Sequence, residues 1–128
     1  AKGVKNHTEC ELPSDGYKEQ VFYHELMADD NGYVTVLVKN GALGFGAYIK
    51  YKKDTLNRLV QWKSMKTGDY ALGIEPSNCY VGGRELEERS GEGLKILKPG
   101  EKVSFELTIG FADAGGELER LENTLKNL

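Results

Sequence analysis

Between Glu19 and Ala112 the chain is a series of short runs rich in β-branched and aromatic residues, and nearly every run is closed by a turn containing glycine. Short runs that alternate in polarity and stop at turn residues specify antiparallel β-structure, whereas a helix needs a longer 3.6-residue periodicity. The pattern predicts strands over Glu19–Met27, Tyr33–Asn40, Phe45–Lys52, Arg58–Met65, Tyr70–Glu75, Leu94–Leu97 and Lys102–Ala112. Asp29-Asp30-Asn31-Gly32 predicts a hairpin joining the first two, because Asn-Gly suits the tight turn that strand twist favours. Pro76 is expected to stop the fifth strand, and Ser77–Gly93 reads as a long polar loop, a feature often used for function. Only the end changes period: Leu118, Leu121, Leu125 and Leu128 line one side of a predicted amphipathic helix that docks on a sheet. The fold class expected is all-β, an antiparallel β-sandwich with a C-terminal amphipathic helix. An extended lead-in covers 1–18, the sandwich 19–112 and the helix 113–128.

Composition removes several function classes. At 39% hydrophobic residues over 128 positions the chain can build a core and is not a disordered segment. Mean hydropathy is −0.51 and no apolar run reaches the length of a membrane helix. Seventeen basic against 20 acidic residues give a net charge of −3. With no basic block, nucleic acid and anionic membrane surfaces are not expected partners. Cys10 and Cys79 have no metal-type spacing; they are two thiols in a reducing compartment or a single disulfide. With no apolar leader near the start, the cytoplasm is the expected location. Two histidines and two cysteines, widely scattered, predict no metal site. Asp29–Gly32 lacks the rest of a calcium loop, and Gly41, Gly44 and Gly46 do not form a dinucleotide fingerprint.

The segment Tyr70–Asn78 (YALGIEPSN) carries the most chemical information. Alternation puts Ala71, Gly73 and Glu75 on one face of its strand. Two small residues beside an acid leave room for a ligand on the sheet, and Glu75 is then a candidate general base; otherwise it is a solvated glutamate beside a turn. Trp62, the only tryptophan, shares its face with Arg58, Val60 and Ser64. It either stacks on the apolar face of a sugar ring or fills the core. Trp62 and Glu75 lie on consecutive strands, so antiparallel pairing brings them into one region. Arg84 offers a fork of donors to a hydroxyl or carboxylate, or is a solvated loop residue. Asn78 contacts a ligand or caps the turn. His24, with Gln20 and Phe22 on its face, is an acid/base candidate or a satisfied structural histidine.

Trp62–Arg84 (WKSMKTGDYALGIEPSNCYVGGR), with Leu94–Phe111 (LKILKPGEKVSFELTIGF), resembles aldose 1-epimerase-like, or galactose mutarotase-like, proteins. The DUF4432 branch is the most similar: a Gly-aliphatic-Glu-Pro segment follows Gly-Asp-Tyr, and a Pro-Gly-Glu turn precedes the last strand. The segment EQVFYHELMADDNGYVTVLVKN is also similar to that branch. The resemblance implies part of a larger antiparallel supersandwich that interconverts the anomers of a free sugar without a cofactor. It implies that a glutamate, at the position of Glu75, takes the anomeric proton while a histidine protonates the ring oxygen. Trp62, Asn78, Arg84 and His24 are the expected sugar contacts. The family's acid histidine belongs to an N-terminal part, and neither His7 nor His24 matches its motif. The chain is therefore expected to be a C-terminal fragment, incomplete as a catalyst, that forms a homo-oligomer or joins a missing N-terminal half. The alternatives are a non-catalytic carbohydrate-binding module and a structural or interaction domain.

Overall fold

A computed structural model of the protein describes residues 6–90 and 94–126. In chain order the elements are β1 (Gln20–His24), β2 (Tyr33–Asn40), β3 (Phe45–Lys52), β4 (Arg58–Lys66), β5 (Asp69–Ser77), α1 (Arg84–Ser90), β6 (Leu107–Asp113) and α2 (Glu117–Lys126). The strands form two antiparallel three-stranded sheets, β1-β4-β5 and β2-β3-β6. The expected all-β antiparallel class with a terminal helix is the class observed. The chain divides into two compact units, Ala1–Glu25 with Asn57–Ile96, and Leu26–Leu56 with Leu97–Leu128.

In the first unit β4 is central, and Leu59, Val60 and Met65 are its buried apolar residues. A central strand needs a neighbour on each side. The β4–β5 hairpin supplies one and β1 the other, with Val21 opposite Trp62 and Tyr23 opposite Val60. This corrects the predicted hairpin between the first two runs. The Asp29–Gly32 turn does form: the Asp29 carboxylate accepts from the N–H groups of Asn31 and Tyr33, at 3.0 and 2.8 Å, and Gly32 takes φ 79°. Yet the strand before it has already ended at His24, and β2 pairs with β3 instead. An Asn-Gly turn is a local signal and does not choose the partner of a strand that pairs with one far away in sequence.

Four further features differ from the sequence expectation. Pro76 lies inside β5, opposite Leu59, because β5 is the edge strand and its outward side needs no N–H donor. Arg84–Ser90 is helical rather than loop, supported by the i,i+4 ion pairs Arg84–Glu88 and Glu85–Arg89. Leu94–Leu97 is not a strand, and β6 begins at Leu107 rather than Lys102. Cys10 and Cys79 are free thiols. No helix among the described residues is long and apolar enough to cross a membrane.

The second unit packs Val34, Tyr51, Leu56 and Ala112 as its buried apolar residues. α2 presents half-buried Leu118, Leu121 and Leu125, as the leucine spacing predicts; Leu128 lies outside the described residues. Tyr51 is 2% exposed, and burial pushes its hydroxyl up to about 12. The neutral phenol is favoured in the fold, so this stability is complete below the unfolded value of about 10 and is lost as pH rises from there to about 12. Between pH 10 and 11 the protein should lose about 1 kcal/mol through this group. In Tyr51→Phe that component of the alkaline slope should vanish in urea titrations; an unchanged slope would refute it.

Candidate functional site

The β4–β5 hairpin builds one face of the first sheet. Its register runs from Lys66 opposite Asp69 to Arg58 opposite Ser77, with Trp62 opposite Gly73 and Val60 opposite Glu75. Side chains directly opposite share a face, so Arg58, Val60, Trp62 and Ser64 stand with Ala71, Gly73, Glu75 and Ser77. From β1, Val21 and Tyr23 join them. Trp62 and Glu75 are therefore brought together as the sequence implied.

The contacts at this face are specific. The Glu75 side chain reaches back along β5 over Gly73: a methyl group at position 73 would stand 2.5 Å from Glu75 Oε1 and 3.5 Å from Trp62 Cβ. Trp62 is half-buried, and its Nε1–H donates to Glu19 Oε2 at 2.9 Å. That bond fixes the indole and occupies its one polar atom, leaving an apolar ring as its offer to a ligand. Beyond β5, Ser77 Oγ donates to the carbonyl of Cys79 at 2.7 Å and turns the chain. Tyr80 then packs edge-to-face on Tyr23 at 4.9 Å, and the Arg58 guanidinium lies 4.6 Å over the Tyr80 ring. The Tyr80 N–H donates to Glu87 Oε2 at 3.2 Å, which ties α1 to the same turn.

The other candidates are placed differently. Asn78 is exposed on the turn after β5. Arg84 opens α1, and its Nε donates to Glu88 Oε1 at 2.8 Å along the helix, not toward Glu75. His24 is on the opposite face of the sheet, where its Nε2 lies 2.9 Å from Gln61 Oε1 and its ring 5.2 Å from that of His7. Gln61 Nε2 in turn donates to the His7 carbonyl at 2.8 Å. Both histidines thus stand away from Glu75. On that face the fully buried Lys63 ammonium donates to the carbonyls of Asn6 and Glu9, each at 2.6 Å, and pairs with Glu11 at 2.5 Å. Hydrogen bonding from Lys63 holds the Glu11 carboxyl below its usual range. The lead-in segment is pinned there, so the face that holds Lys63 serves structure.

Tyr23, Tyr80 and Glu19 were not singled out from the sequence. Tyr23 carries the right alternation phase, but its place depends on β1 pairing with β4. Tyr80 is an aromatic in a polar stretch, which was a visible signal. Among the described residues no group of three His, Cys, Asp or Glu side chains could hold a metal ion.

Comparisons with known proteins agree with this architecture. The DUF4432 family, described as a domain of unknown function, matches residues 1–111. No curated protein gives a significant match. A crystal structure of a candidate aldose 1-epimerase from Klebsiella pneumoniae subsp. pneumoniae superposes with a TM-score of 0.84 at 28% identity, over 91% of this chain and 31% of that one. The chain thus spans about a third of that protein's length. Two antiparallel sheets, a terminal helix and a match over most of the sequence converge: the chain belongs to the DUF4432 family and has an aldose 1-epimerase-like fold.

Proposed function

We propose that the face carrying Trp62 and Glu75 binds a free sugar, and that within an aldose 1-epimerase-like protein Glu75 is the base of anomer exchange. The observation that carries this reading is the adjacency of a fixed indole and a carboxylate over bare backbone at Gly73. A pyranose laid with its C–H face on Trp62 would extend over Ala71, with the Glu75 carboxylate, which covers Gly73, at its edge. Glu75 then accepts the proton of the anomeric hydroxyl as the ring C–O bond breaks and an external acid protonates the ring oxygen. Rotation about C1–C2 and reclosure give the other anomer. Asn78 and the Tyr23–Tyr80–Arg58 stack flank the sugar, and Arg84 is a contact only if it leaves Glu88.

One observation favours a second reading for the chain alone. Its only two histidines are His7 and His24, and both stand away from Glu75. One acid/base group contributes 10²–10⁴-fold, so binding without measurable turnover is the expected behaviour of this piece. Trp62, as the sole tryptophan, reports the site directly. Titration with D-galactose or D-glucose should change its emission saturably, and Tyr80→Ala should weaken that response. Glu75→Gln should retain binding and abolish any anomer exchange seen by polarimetry. An emission unchanged at tens of millimolar sugar would count for an interaction domain instead.

The cytoplasmic location is supported by the two free thiols. Association with a second copy or with further polypeptide is supported by the exposed apolar side chains of β6 and its neighbour, Leu107, Ile109, Phe111 and Phe45. Sedimentation velocity showing a clean monomer at high concentration would refute self-association.

A further inference from the structure

We propose that Gly73 is a positioning residue: by having no side chain, it sets where the Glu75 carboxylate stands beside Trp62. This rests on the reading of Glu75 as the base and adds a residue that touches neither sugar nor proton. Gly73 has no positive φ and lies within regular β5, so backbone freedom does not explain a glycine there. A glycine inside a strand marks a bulge or a close approach, and β5 pairs with β4 without a bulge from Asp69 to Ser77. The close approach is the carboxylate itself, with Glu75 Oε1 occupying the space that a methyl group at 73 would need. The Trp62 Cβ bounds the same space on the β4 side.

The consequence separates position from stability. The atom that a Cβ would displace is the tip of an exposed side chain, so alanine at 73 costs the fold little. It forces the carboxylate out of its place over the strand. Misplacing a reacting group by about 1 Å costs on the order of 10²-fold in rate, so the loss should appear in function rather than in unfolding.

The test uses the 128-residue chain and its single tryptophan. Two carboxylates adjoin Trp62, Glu19 at Nε1 and Glu75 over Gly73. At neutral pH Glu75→Gln removes one charge beside the indole and should shift the Trp62 emission. Gly73→Ala should shift it likewise while keeping the unfolding midpoint, and should add nothing further in the Glu75→Gln background. Glu75→Asp, whose shorter arm cannot reach over Gly73, should shift it without any added bulk. Gly73→Ala and Glu75→Asp should each weaken D-galactose or D-glucose binding about tenfold or more if the carboxylate bonds the sugar. A Gly73→Ala emission identical to that of the wild type would overturn the proposal, as would a Glu75→Gln emission identical to it. Failure of either sugar to bind would refute the sugar reading alone, because the emission test needs no ligand.

Discussion

Lys63→Met should destabilise the protein by about 2–3 kcal/mol, the loss of charged hydrogen bonds to groups that remain partly exposed. The Lys63 side chain has no exposure, and its ammonium is satisfied by two backbone carbonyls and one carboxylate, those of Asn6, Glu9 and Glu11. Methionine fills much of the volume but donates nothing. It leaves two carbonyls and a carboxylate facing a thioether, and an unmet polar group costs far more than a met one stabilises. The lead-in segment should also come free. It is also held by Gln61 to the His7 carbonyl, the Tyr70 hydroxyl to the Glu11 carbonyl, and the Ser14 backbone to Met65 and Thr67. Urea unfolding should show the loss, and hydrogen exchange should rise over residues 6–14.

The same variant should alter the acid limb. Glu11 is depressed in the fold, so its contribution is present above the ordinary carboxylate value and is lost as pH falls through the depressed one. Without Lys63 that part of the acid dependence should disappear. A cost below 1 kcal/mol would mean that the ammonium does not hold the segment.

Gly46→Ala should cost about 1–3 kcal/mol and loosen α2. A Cβ at 46 would meet Leu118 Cδ1 at 2.8 Å, Leu37 Cδ1 at 3.0 Å and the Val38 carbonyl at 3.3 Å. Leu118 is the first leucine of the α2 stripe, so the helix docks through the space that glycine leaves on β3. Lys39 pairs with Glu122 and holds its carboxyl below the usual range, so a displaced helix should return Glu122 toward its ordinary value. Carboxylate NMR and helical circular dichroism read the two effects. Gly41→Ala, which meets nothing within 4 Å, is the control and should be neutral. Equal behaviour of the two variants would show that α2 does not depend on Gly46.

Much of the local structure was legible. β2, β3, β4 and most of β5 are where alternation put them, and α2 follows its leucines. The face shared by Trp62 and Glu75 was also legible, because a tight hairpin connects their strands and register between neighbours is a local property. α1 was missed although its charge pairs were present, since the glycines on either side dominated the reading.

What the sequence determined by itself is the period of each run, hence which side chains of a strand share a face and where the terminal helix lies. What only the tertiary structure decided is which strands pair across long separations. β1 joined β4 rather than β2, which put Tyr23 beside the Trp62 site and His24 behind it. Alternation is imposed by the geometry of a single strand, while the choice of partner depends on which arrangement covers the most buried strand, here β4, and no short segment contains that information.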